Sequence, residues 1–175
     1  MARNPYSEPI VDSLCGDIKK ARDNGIFAGA IILVLSAIDA MAFLSMPLEQ
    51  REVHRRDYVD WVNKYLKADT KQPYQYEGVD LYGARCAIVH RYGHKSRLSE
   101  SGKCKVFFYH NGSEHIYNPR KEPSVVGISR NRLINDFFKA VANFLHDIGQ
   151  DDDLKARVDS RIEELFIISK KEKSD

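Results

Sequence analysis

Leu81-Tyr82-Gly83-Ala84-Arg85-Cys86-Ala87-Ile88-Val89-His90-Arg91-Tyr92 is the stretch on which the reading of this chain turns. Leu81, Ala84, Ile88 and Tyr92 recur at helical spacing, so one face of a helix points to a core. Gly83, Cys86, Ala87 and His90 form a second face of small residues, over which another helix can approach closely. Arg85 and His90 interrupt an apolar run, and helix packing requires neither. A cation and a titratable base on a tightly packed helix make a candidate site.

Upstream, Ile26 to about Leu44 is apolar on nearly all sides and stops before Pro47, which predicts a central helix contacted by most others. Its most apolar part, Ile26 to Ile38, is about half a membrane span, and Asp39 follows it directly. Basic residues before it and Ala40-Met41-Ala42 after it resemble a secretory leader. The acidic residues and amphipathic pattern of the long N-terminal lead favour a buried core helix. Before it, residues 1–8 read as a flexible arm. A first helix follows with Ile10, Val11, Leu14, Cys15 and Ile18 inward, ending at Asn24-Gly25. A third helix is expected over roughly Leu48 to Leu66, burying Val53, Tyr58, Val59, Trp61, Val62, Tyr65 and Leu66, with Arg51, Arg55, Arg56 and Lys64 left wet. Lys67 to Gly78 reads as a loop.

Downstream, Asn111-Gly112 separates two aromatic runs, Val106 to His110 and Ser113 to Tyr117. This is a strong local hairpin signal, since both turn positions of the tight turn need positive φ. It predicts a β-hairpin at 104–118, with Phe108 opposite His115 and Val106 opposite Tyr117. Ser129 then caps a helix carrying Leu133, Ile134, Phe137, Phe138, Val141, Phe144, Leu145 and Ile148, closed by Gly149. Asp151, Asp152 and Asp153 suit the start of a last helix with Leu154, Val158, Ile162, Leu165 and Phe166 inward. The fold class is therefore mainly α: an antiparallel helical bundle, residues 9–169, with one inserted hairpin and a frayed tail at 170–175.

Composition supports a single globular domain: 175 residues, 43% apolar and 30% charged. A formal net charge of +2 is too small to imply an indiscriminate polyanion binder. The charge is uneven, however. Between Arg91 and Arg132 lie nine Lys or Arg against Glu100, Glu114 and Glu122. Cys15, Cys86 and Cys104 are widely spaced and odd in number, which reads as reduced thiols of a cytoplasmic protein.

Residues five apart on a helix are about 140° apart around its axis, yet a long Arg side chain can reach the vicinity of the imidazole. Such a pair suits phosphodiester cleavage. His takes or gives a proton near neutral pH, and Arg binds the phosphate and its developing charge. The alternative is structural, with Arg85 paired to a buried carboxylate such as Asp39 and His90 a satisfied interface residue. Asp39 itself reads either as the group that orients Arg85 or as a water-facing helix edge. Arg91, Lys95 and Arg97 follow directly and are placed to hold an RNA backbone. Phe107, Tyr109 and Tyr117 are either stacking surfaces for single-stranded RNA or core residues. His90 and His94 have the spacing of two metal ligands, but no residue completes a site, so neither a metal nor another cofactor is expected.

The phrase from Leu81 to His90 resembles the signature of the HEPN superfamily, small helical bundles with an Arg and a His four to six residues apart. The resemblance extends loosely over Ala37-Ile38-Asp39-Ala40 and Tyr58 to Leu66. It implies a metal-independent endoribonuclease acting as a homodimer, with Arg85 and His90 as the catalytic pair and Asp39 and Tyr82 in support. Many relatives are toxins, phage-defence proteins or RNA-processing factors, so an antitoxin is an expected kind of partner. This chain departs from the pattern at Cys86, where active members often carry Asn or Asp. The rival expectation is a non-catalytic HEPN-like module that dimerises or binds a nucleotide or protein.

Overall fold

Capping and apolar periodicity place most of the helices. In the computed structural model, which describes residues 5–69 and 71–165, a wide π-helical stretch, Ser7–Cys15, runs into α1, Gly16–Asp23. Gly25 then turns the chain with a φ of 75°, a value a side chain would resist. The next helix, α2 (Phe27–Ser45), buries Ile31, Val34, Leu35, Ile38, Met41 and Leu44 among others, and touches α1 and most of the later helices. Each such side chain stabilises the fold by about 2 kcal/mol through burial, so the apolar run serves as the core of the bundle. By length and composition α2 could cross a membrane, and half of its most apolar window is buried within this chain.

The third helix begins later than its periodicity suggests. α3 spans Arg55–Trp61 and passes into a π-helical turn, Val62–Leu66. The Asp57 carboxylate accepts the backbone N–H of His54 at 2.7 Å, which starts the helix there. Ahead of it, the Arg161 guanidinium donates to the carbonyls of Met46 at 3.0 Å and Pro47 at 2.7 Å. Those carbonyls are thereby held outside any helix. Trp61 and Tyr65 stack into the core at 5.4 Å, and Tyr65 meets Phe144 edge-on at 5.3 Å.

α4 spans Gly78–Arg91 and is followed by a short α5, Arg97–Glu100, capped by Ser96. α6, Arg130–Ile148, starts where Ser129 Oγ accepts the Arg132 N–H at 3.3 Å and ends at Gly149. α7, Asp152–Asp159, is capped by Asp151, and a 3₁₀ turn at Ile162–Glu164 follows. Leu154 and Val158 are buried, whereas the expected inward Phe166 lies outside the described residues, as do residues 1–4 of the arm and the tail at 170–175. The rest of the arm is not loose. Tyr6 is buried and donates from its hydroxyl to Asp159 at 2.6 Å, and helical backbone starts at Ser7. Val11, expected inward, is exposed.

The hairpin at 104–118 does not form. β1 (Val106–His110) pairs in parallel with β2 (Val125–Ser129), in the register Val106↔Val125 to His110↔Ser129. Residues 111–124 make the crossover that a parallel pair needs. On the other edge of β2, Ile116 forms an antiparallel bridge with Gly127. Two contacts override the local turn signal. Phe108 lies on Gly127, where an added Cβ would come within 2.6 Å of the ring and displace it. Ser129 holds the returning loop by donating from its hydroxyl to the Gly112 carbonyl at 2.5 Å and from its N–H to His115 Nδ1 at 3.1 Å. Asn111 and Gly112 accordingly never adopt positive φ. The architecture is thus a mainly helical bundle carrying a small two-stranded parallel sheet.

Candidate functional site

Helix α4 is positioned from its first turn. Asp80, buried, accepts from the Glu77 N–H at 2.8 Å, the Lys105 N–H at 2.7 Å and the Lys105 ammonium at 3.2 Å. One carboxylate therefore caps α4 and fastens the entry to β1. Part of the small-residue face is filled by this same chain. A Cβ on Gly83 would lie 2.3 Å from Cys104 Sγ and 3.5 Å from Ser96 Oγ, and Ala87 is buried. Close approach at Gly83 thus serves the α4–α5–β1 connection, while Cys86 and His90 of the same face stay open.

On the remaining face, Arg85 joins two elements. Its Nε donates to Asp39 Oδ2 at 2.7 Å, and Nη1 lies 3.0 Å from His90 Nε2. Of the two readings of Asp39, the salt bridge is the one present. Burial pushes the Asp39 carboxyl above its usual range, with Arg85 opposing that rise. Burial works against the Arg85 charge most strongly, and the Asp39 bond and charge together with Cys86 outweigh it, holding the guanidinium above its ordinary value. With Nη1 donating, His90 Nε2 is the acceptor and the ring proton sits on Nδ1. Tyr82 packs edge-on against Tyr58 at 5.4 Å, and the Arg85 guanidinium carbon stands 6.0 Å from its ring centre.

His90 opens into a groove of about 670 Å³ lined by Arg55, Tyr82, Cys86, His90, Arg91, Ser96, Arg97 and Leu98. Three arginines from α3, α4 and α5 converge there, and among the described residues no Asp or Glu lines it. Arg91 leans toward Glu100 at 3.8 Å, both half exposed. Of the residues the sequence points to, His90, Arg91, Arg97 and Tyr82 share the groove. Arg85 and Asp39 stand behind His90, and Lys95 is exposed outside the lining. Arg55 is the residue sequence reasoning passes over, because only the packing of α3 on α4 brings a wet helix-start residue to the motif.

The helix ends in an unusual way. Gly93 N–H donates to Ala87 O at 3.1 Å, closing the last turn, and Tyr92 takes the left-handed position with φ 49°. Helices favour glycine there, and a side chain costs about 1 kcal/mol. Tyr92 is 73% exposed.

A second polar cluster lies under the sheet. His115 is buried, its Nδ1 accepts the Ser129 N–H, and burial with His110 nearby pushes its imidazole down to about 4. Asp136 accepts from Gln72 at 2.9 Å and is raised by burial, and Arg132 donates to Gln72 and Glu114. Among the described residues, no group of three or more His, Cys, Asp or Glu side chains is arranged to hold a metal ion.

Of the aromatics considered for stacking, Phe107 is buried and Tyr109 half-buried. The Tyr117 hydroxyl donates to Pro123 O at 3.1 Å. The class of protein that the fold defines is a helical bundle with a small parallel sheet. No family model, no curated protein and no solved structure matches the chain.

Proposed function

We propose that this chain is a HEPN-like endoribonuclease of the cytoplasm that works without a metal as a homodimer, in a toxin or phage-defence setting where an antitoxin is a natural partner. The observation that carries the reading is the Arg85–His90 pair, joined at 3.0 Å where His90 enters a groove lined by three arginines and no carboxylate. Cleavage proceeds by internal attack. Arg85 Nη1 shifts from His90 Nε2 to the phosphate, and the freed Nε2 takes the proton of the ribose 2′-hydroxyl as that oxygen bonds to phosphorus. The bond to the 5′ oxygen breaks, and a second copy's imidazolium protonates that leaving oxygen. Arg85 keeps donors beyond the one spent on Asp39, and these bind the phosphorane-like charge. Asp39 holds the guanidinium in place, and Arg91 and Arg97 bind flanking phosphates.

One observation favours the rival, a non-catalytic dimerisation or binding module: Arg85 is already committed to Asp39 at 2.7 Å. Against it, His90 is exposed and lines the groove. The two readings part on product chemistry. Incubating the protein with RNA in chelator yields fragments ending in a 2′,3′-cyclic phosphate, and Arg85→Ala and His90→Ala abolish them. Cleavage that persists in both variants contradicts the proposal.

A further inference from the structure

We infer that Tyr92, which directly follows the groove residues His90 and Arg91, is the base-stacking platform for unpaired RNA at this site. The inference rests on the ribonuclease reading above. Tyr92 is the most exposed of the large hydrophobic side chains, and a left-handed backbone position holds it, where glycine would relieve the strain. The residues immediately before it, His90 and Arg91, line the groove, and Arg55 and Arg97 complete a cationic wall with no lining carboxylate. An exposed aromatic beside a cationic track is the arrangement that holds unpaired bases. The phosphates meet the arginines, and a base meets the ring face. A duplex keeps its bases stacked on one another and offers none to the ring. Among the described residues, the aromatics at or near the groove other than Tyr92 are engaged elsewhere. Tyr82 is packed against Tyr58 and Arg85, and Phe107 is buried.

The test measures binding in a His90→Ala background, which prevents cleavage, at one fixed salt concentration in chelator. The probes are a short unstructured RNA and its duplex. Adding Tyr92→Gly weakens single-strand binding about tenfold, adding Tyr92→Phe changes it less than about twofold, and duplex binding stays level in both. The melting temperature of Tyr92→Gly holds or rises, because glycine accepts the left-handed position. Weaker binding by a protein that is no less stable is a signature that a purely structural tyrosine does not produce. Unchanged single-strand binding by Tyr92→Gly overturns the inference while leaving the ribonuclease reading intact. A dimer that becomes a monomer in Tyr92→Gly also overturns it, because Tyr92 then belongs to a self-interface. Failure of the His90→Ala protein to bind either RNA overturns this inference and the reading beneath it together.

Discussion

Two clusters in this molecule are built from the same residue types and do opposite things. In the first, Asp39, Arg85 and His90 run outward in series, and the imidazole ends in a groove edged with arginines. In the second, His115 is buried against β2, its Nδ1 filled by a backbone N–H, with Asp136 4.0 Å from its Nε2, the Tyr76 ring edge-on at 5.5 Å, and Gln72 and Arg132 bonded in turn behind Asp136. An imidazole, a carboxylate and a guanidinium are therefore no measure of a site by themselves. What separates the two is whether the imidazole is buried or exposed and whether anything anionic can reach it. His115 is held neutral by burial and works as an acceptor that pins the start of α6. His90 is exposed beside cations that attract phosphate.

The largest effect that sharpens this contrast is on catalysis. Removing the charge-bearing partner in Arg85→Ala lowers the cleavage rate by about a hundredfold or more, measured as single-turnover cleavage of a defined RNA. Next comes a stability effect confined to the second cluster. Asp136→Ala strips Gln72 and Arg132 of a buried acceptor and destabilises the fold by about 3 kcal/mol in urea unfolding. The same variant leaves the rate per folded molecule unchanged.

Acid provides a third separation. The folded His115 titrates at about 4, below an unfolded histidine near 6.5. Its contribution is therefore complete above pH 6.5 and lost as pH falls through 4, by roughly 2–3 kcal/mol. Asp136, raised by burial, acts in the opposite sense, so the comparison is with His115→Gln, whose stability changes less across that window. The smallest effect belongs to the groove's rim. Arg97→Ala weakens RNA binding severalfold and lowers the slope of log affinity against log salt by about 1.

Much of the first cluster was legible because it is local. Arg85 and His90 share one helix, their spacing sets their reach, and Asp39 is the only carboxylate in the apolar run of α2. The helices built on strong periodicity and caps, α2, α4 and α6, likewise follow from nearby residues. What was not legible depends on distant ones. Asn111-Gly112 carries the local features of a hairpin, yet Gly127 and Ser129, more than a dozen residues later, draw β1 into a parallel pair. The third helix starts at Arg55 because Arg161, far along the chain, takes the carbonyls before it. Arg55 enters the groove only through the packing of α3 on α4. Gly83 and Ala87 read as a seam for another helix, and it is Cys104 and Ser96 of this chain that fill the Gly83 notch.

The most direct test of the central claim sets the two histidines side by side. The rate of RNA cleavage in chelator and the melting temperature are measured for His90→Ala and His115→Gln. His90→Ala loses cleavage by at least about a hundredfold with its melting temperature unchanged. His115→Gln melts earlier and cleaves at the parent rate per folded molecule. Cleavage lost in His115→Gln and retained in His90→Ala would contradict the central claim.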